Sequence, residues 1–236
     1  MKEQVYSLQS AADSSVAERA GFIRRTYLHV AGAIAAFALL ETWLISAGFG
    51  EAFVTTLANT PMAWLLVMGL FIGTSYIADK FAHSQTSEGM QYFGLGLFTV
   101  AEAIVFLPII YIANEFFPGA IETAAYVTAL LVIGLTATVF ITKKDFSFLG
   151  SFLKIGFMIA FGIIVCSFFL PYSLDSYIFS GAMALLAAGA VLYTTSNILH
   201  QYHPGQHVAA SLALFSSIAL LFFYVLQIVM SLTGRD

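Results

Sequence analysis

Charge is scarce in this chain: only 9% of its 236 residues are Asp, Glu, Lys or Arg, against roughly a quarter in an ordinary soluble domain. A soluble fold is excluded, because much of any folded surface stays in contact with solvent and needs polar groups to meet it. The net charge of -4 is spread over short loops with no basic block, which excludes nucleic-acid binding. Cysteine is nearly absent. With Cys166 alone, no intramolecular disulfide and no cysteine-built metal cage can form, and its apolar surroundings predict a small core residue. Catalytic signatures are missing too: no nucleophile elbow, no H-E-x-x-H, no P-loop and no dinucleotide fingerprint. The expectation is a protein that is not an enzyme and carries no cofactor.

What is there is apolar. Hydrophobic residues make up 60% of the chain and the mean hydropathy is +0.89. Apolar runs at 26–48, 62–82, 90–113, 121–142, 151–171, 176–200 and 208–232 each approach the ~20 residues that cross a hydrocarbon core. They are separated by turn and charge clusters such as Lys143-Lys144-Asp145, Pro171-Tyr172-Ser173 and His203-Pro204-Gly205. The fold class is therefore an all-α integral membrane protein, a seven-transmembrane-helix bundle whose first partner is the lipid bilayer. Residues 1–25 read as a polar N-terminal tail and 26–236 as the membrane domain. The first apolar run follows about 25 polar residues and exceeds the 7–15-residue core of a signal peptide, so the first span is expected to stay in the mature protein.

Basic residues tend to remain on the cytoplasmic side. With seven spans and the N-terminus inside, Lys2, Arg19, Arg24, Arg25, Lys80, Lys143, Lys144 and Lys154 are all cytoplasmic, and only Arg235 lies across the membrane. An even number of spans would break that asymmetry. The C-terminus is expected outside. Small residues in Gly69-Leu70-Phe71-Ile72-Gly73, Gly94-Leu95-Gly96 and Ala187-Ala188-Gly189-Ala190 predict close helix approaches.

Two carboxylates fall inside spans, Glu102 near the middle of the third and Glu41 nearer the outer end of the first. A charged acid at a helix centre costs on the order of 2.5–3.5 kcal/mol on insertion scales, so such groups face a cavity, a partner or an ion path. Glu102 reads either as a group on an ion path or as a structural acid bonded to a neighbouring helix. Glu41 lies within snorkelling reach of the interface. His29 reads as an interfacial histidine. His200, His203 and His207 surround one turn, whose Pro204-Gly205 geometry leaves metal binding unspecified against a solvated loop.

The stretch Lys143-Lys144-Asp145-Phe146-Ser147-Phe148-Leu149-Gly150 resembles the K-x-D-x-S-x-L-G signature of the Bax inhibitor-1 family (transmembrane Bax inhibitor motif), with Lys144, Asp145, Ser147 and Gly150 taken as its motif residues here. The run from Gly189 to His200 resembles the bacterial YccA-like branch, and the segment from Phe22 to Tyr27 also fits. The resemblance implies a bacterial inner-membrane bundle with a central last helix, and two activities. One is a pH-sensitive calcium leak in which acids on the sixth and seventh helices form a proton-sensitive latch. The other is restraint of a membrane-bound ATP-dependent protease of the FtsH type. This chain departs from the pattern at the latch. The sixth-helix acid falls on Thr194, and its seventh-helix counterpart falls near Phe215 or Ser216. The two-acid latch cannot form at those positions, which leaves Glu102 and Glu41 as the candidate proton-sensing or ion-path groups.

Overall fold

A computed structural model describes residues 10–60, 62–84, 87–167 and 176–234. Among the described residues all regular structure is helical: α1 (Val16–Ser46), α2 (Phe49–Asn59), α3 (Ala63–Ala82), α4 (Glu88–Phe116), α5 (Ala120–Thr142), α6 (Leu149–Ser167), α7 (Ser176–His200) and α8 (His207–Thr233). Seven of these are long and apolar enough to cross a membrane; α2, at 11 residues, is not. The expected break at Pro171-Tyr172-Ser173 lies outside the described residues, as do Lys2 and Arg235.

The helix starts and stops follow local chemistry. α1 begins ten residues before its apolar run because Ser15 and Glu18 form a reciprocal capping box, which satisfies amide groups that helix starts leave without partners. Helical structure therefore enters the 1–25 segment at Val16. Just upstream, the Ala11 amide donates to the Tyr202 carbonyl at 2.9 Å, so residue 11 is pinned beneath the loop before α8. Ser87 caps α4 by accepting from the Met90 amide, and α5 ends at Lys143 in a left-handed conformation, φ 53°.

The unforeseen α2 joins the first two spans. Its contacts are with α1, α3 and α4, and Gly50 sits so close to the Tyr111 ring that a Cβ would come 2.6 Å from it. Among the small-residue runs, the closest approach is at Gly94: a Cβ there would lie 2.6 Å from the Ala78 carbonyl oxygen of α3, and one at Gly189 would lie 3.3 Å from the Leu153 side chain, whereas Gly69, Gly73 and Gly96 have open space around them.

α8 is the central helix. It packs against α1, α3, α4, α5 and α7, and its buried face carries Leu214, Leu221 and Leu226 in the main core. The outward faces of the other spans present large apolar side chains, among them Leu39, Leu70, Leu130, Ile141, Phe152 and Leu185. Such a continuous apolar exterior suits lipid and not water. Cys166 belongs to this exterior, not to the core as expected, since α6 touches only α7 closely. Chain alternation brings the start of α1 and the α3–α4, α5–α6 and α7–α8 connections to one end of the bundle, the basic end; α2 and the α4–α5 turn occupy the opposite end.

Candidate functional site

α1 and α5 both pack on α4 and α8 but hardly touch each other, and the space between them is a cavity of about 700 Å³. Its walls are apolar for most of their extent, with Phe37, Phe106, Phe215, Ile218 and Phe222 among them. Along α1 it runs from Ile34 to Ser46, roughly 18 Å at the helical rise. Glu41 is on its wall. That carboxyl group belongs to a residue only 4% exposed, and neither oxygen has a hydrogen-bond partner. Thr128 of α5, also a lining residue, has a buried hydroxyl in the same condition. A buried polar atom without a partner costs about 1–3 kcal/mol, so the two mark a place where something polar is wanted.

Glu102 is not on this wall. It is 5% exposed and sits four residues before Phe106 on α4, one turn nearer the basic end. Between the two acids lies an aromatic layer. Phe37 meets Phe106 edge-on at 5.2 Å and Phe215 at 6.3 Å. The sequence could offer both acids as buried; which of them opens on a cavity depends on helix rotation.

The latch positions hold no acid. The Thr194 and Ser217 hydroxyls are 3.1 Å apart, and Ser217 also donates to the Ala213 carbonyl at 2.9 Å. The hydroxyl opposite Thr194 thus comes from Ser217, the residue after Ser216, while Phe215 is in the core. Which residue of α8 faces Thr194 is fixed only when α7 and α8 pack.

The signature residues make a clamp at the basic end. The Ser147 amide donates to Asp145 Oδ1 at 2.8 Å and its hydroxyl to Oδ2 at 3.1 Å. The Phe146 amide donates to Ser196 Oγ at 2.9 Å, tying the α5–α6 loop to α7, and Gly150 leaves room for the Tyr193 ring, which a Cβ would approach to 3.0 Å. The Ser147 amide holds the exposed Asp145 carboxyl below the usual carboxylate range, opposed by slight desolvation and helped by the Ser147 hydroxyl, His200 and Ser196. Lys144 is exposed beside it.

The histidines divide. His29 donates through Nδ1 to the Arg25 carbonyl at 2.7 Å and stacks on Tyr92, with His207 5.1 Å away. His200 donates to the Ser196 carbonyl at 3.0 Å. Among the described residues no group of three or more His, Cys, Asp or Glu side chains is placed to hold a metal ion. The Tyr92–His29–His207 cluster joins residues 63 and 115 positions apart, and nothing in their spacing announces it. A second cluster stacks His83 on Tyr202 at 6.4 Å, with Asp79 3.3 Å from His83 Nδ1; burial, then Asp79 and Tyr193, push the Tyr202 phenol up to about 12.

A seven-helix bundle with a central last helix and this α5–α6 clamp agrees with the proteins this chain is similar to. The family model described as "Inhibitor of apoptosis-promoting Bax1" matches residues 19–234. The chain belongs to the Bax inhibitor-1 family. Bax inhibitor 1 of Schizosaccharomyces pombe is 31% identical over 225 residues, 94% of this chain and 82% of its own. A Pseudomonas aeruginosa protein, PA2604, is 30% identical over the whole of both chains. The Escherichia coli protein named "Modulator of FtsH protease YccA" is 32% identical over 109 residues, 46% of this chain and 49% of its own. Plant members such as Protein LIFEGUARD 4 of Arabidopsis thaliana, 28% identical over 89% of this chain and 84% of its own, match comparably, so the comparisons establish the Bax inhibitor-1 family without singling out the YccA-like branch. No solved structure matches the chain.

Proposed function

We propose that this Bax inhibitor-1 family protein is a proton-sensitive cation leak pathway, for calcium by family resemblance, held closed in the conformation described. The observation that carries the reading is the vertical order of Glu41, aromatic layer and Glu102. Glu41 faces a cavity in the half of the bundle away from the basic end, and Glu102 lies one turn beyond Phe106 toward that end. Carboxylate oxygens suit hard cations, and intramembrane acids mark ion or proton paths. The Phe37–Phe106–Phe215 contacts form the closed gate. In this chain the proton-sensing acids sit on α1 and α4, and the neutral Thr194–Ser217 pair replaces the latch. The membrane is the bacterial inner membrane, with the basic end cytoplasmic, on the strength of the basic-residue asymmetry.

Calcium flux into liposomes containing the purified full chain, followed over a pH series, tests this. Wild type is expected to leak slowly, Phe37→Ala to leak faster, and Glu102→Gln to lose pH dependence without loss of fold. Absence of flux from both wild type and Phe37→Ala would overturn the reading. A second reading, restraint of an FtsH-type protease, is supported by the neutral latch together with the name of the Escherichia coli relative; copurification of such a protease from native membranes would favour it.

A further inference from the structure

The cavity beside Glu41 has a feature that an ion path does not require: it opens sideways. The helices on its two lips, α1 and α5, stand apart, and lip residues face outward, Ile34 at 40% exposure and Ile133 at 65%. These are surfaces that acyl chains would touch, so a molecule dissolved in the bilayer can enter without crossing an aqueous phase. The volume of about 700 Å³ falls within the roughly 300–1,000 Å³ of small-molecule sites, which are mostly apolar with a few convergent polar groups. Here the convergent groups are Glu41 and Thr128, both at most 4% exposed and both with buried side-chain oxygens lacking a partner.

We infer that the space between α1 and α5 is a binding site for a single-chain amphiphile from the membrane, whose head donates a hydrogen bond to Glu41 and whose chain lies along the apolar wall toward Phe37 and Phe215. A hydroxyl or an amine meets the requirement: each donates to the carboxyl oxygens, and a hydroxyl also exchanges a bond with Thr128. A phosphate head does not, because it is anionic and rich in acceptors and would face a carboxyl group. The bilayer supplies the apolar half of the affinity to any chain, so selectivity among amphiphiles resides in the head. Occupancy stands independently of ion conduction, although an occupant at Glu41 would compete with any cation there.

The test is photolabelling of the purified full chain with a diazirine derivative of hexadecanol, with labelled positions mapped by mass spectrometry. Labelling concentrated on the facing walls of α1 and α5 is expected. Unlabelled hexadecanol and hexadecylamine should each compete at least about tenfold better than hexadecane, which is what one or two head hydrogen bonds supply; the two competitors decide between a hydroxyl and an amine source. Ala129→Trp fills the cavity and should abolish the concentrated labelling. Ala38→Phe does the same from the other wall and covers failure of the first variant to fold. Glu41→Leu should erase the preference over hexadecane. Labelling spread evenly over all outward helix faces, unchanged in both filled variants, or equal competition by hexadecane, would overturn the inference. Cation flux is a separate readout: saturable labelling with no flux would leave this site standing and remove the leak.

Discussion

Thr194 of α7 and Ser217 of α8 share a buried hydrogen bond of 3.1 Å at the place where the family resemblance leads one to expect a pair of acids. Two carboxyl groups at that separation cannot both ionise at low cost, whereas two hydroxyls carry no charge at any working pH. The Thr194–Ser217 contact between α7 and α8 is therefore indifferent to protons in this chain.

Installing the acids should reverse that. Thr194→Asp alone, with only the Ser217 hydroxyl opposite, is expected to have a weak effect on pH-dependent flux. Thr194→Asp with Ser217→Asp is expected to be more stable at pH 5 than at pH 8, because one proton must be shared between the two groups. Thermal unfolding in detergent at the two pH values checks it. A flat profile in the double variant would mean the two side chains do not face each other. Thr194→Val should cost no more than about 1 kcal/mol, since Ser217 keeps its bond to the Ala213 carbonyl.

Helix spacing at Gly94 makes a sharper structural prediction. A methyl group there meets the Ala78 carbonyl oxygen and the Ala82 amide nitrogen at 2.6 and 2.8 Å, both backbone atoms that cannot rotate away. Gly94→Ala should destabilise the protein by about 1–3 kcal/mol, while Gly73→Ala, with open space around it, should be neutral or slightly stabilising. Paired thermal-shift measurements on the two variants decide whether α3 and α4 are in this register.

His83 caps α3 just beyond the span, beside Asp79 of the last turn, and predicts a pH dependence with a definite sign. The Asp79 carboxyl beside His83 raises the imidazole above its ordinary value, while burial opposes the shift. A raised folded value means the contribution to stability is fully present below the unfolded value of about 6.5 and is lost as pH rises through the higher folded value. The pair is partly exposed, so the effect is screened and small. A histidine titration followed by NMR should show His83 falling back toward its ordinary value in Asp79→Asn; an unchanged midpoint would remove Asp79 as the cause.

Topology offers the fourth test. Reporter fusions after Lys143 and after the C-terminus should report opposite sides of the membrane, with Lys143 inside, because the reverse orientation requires translocating the basic end. Fusions on the same side would contradict the seven spans.

How much was visible in advance differs between the fold and the site. The run at 62–82 became Ala63–Ala82 and that at 208–232 became His207–Thr233 because a hydrocarbon core sets both the length and the composition of whatever crosses it. The N-terminal extension of α1 was written in Ser15 and Glu18, a capping signal that an apolar window passes over. α2 was missed because 11 residues are too few to cross and a loop of that length is also an allowed reading.

By itself the amino-acid sequence determined the solvent, the seven crossings and the family, since these rest on composition, run length and local motifs, which are properties of neighbouring residues. Only the tertiary structure decided that Glu41 and not Glu102 lines the cavity between α1 and α5, that Thr194 faces Ser217, and that Gly94 rather than Gly69 marks a close helix contact. Each of those depends on how a helix is rotated about its axis. In a span that is apolar on every side, hydrophobic periodicity gives no strong direction, and packing against the neighbouring helices chooses which residues face inward.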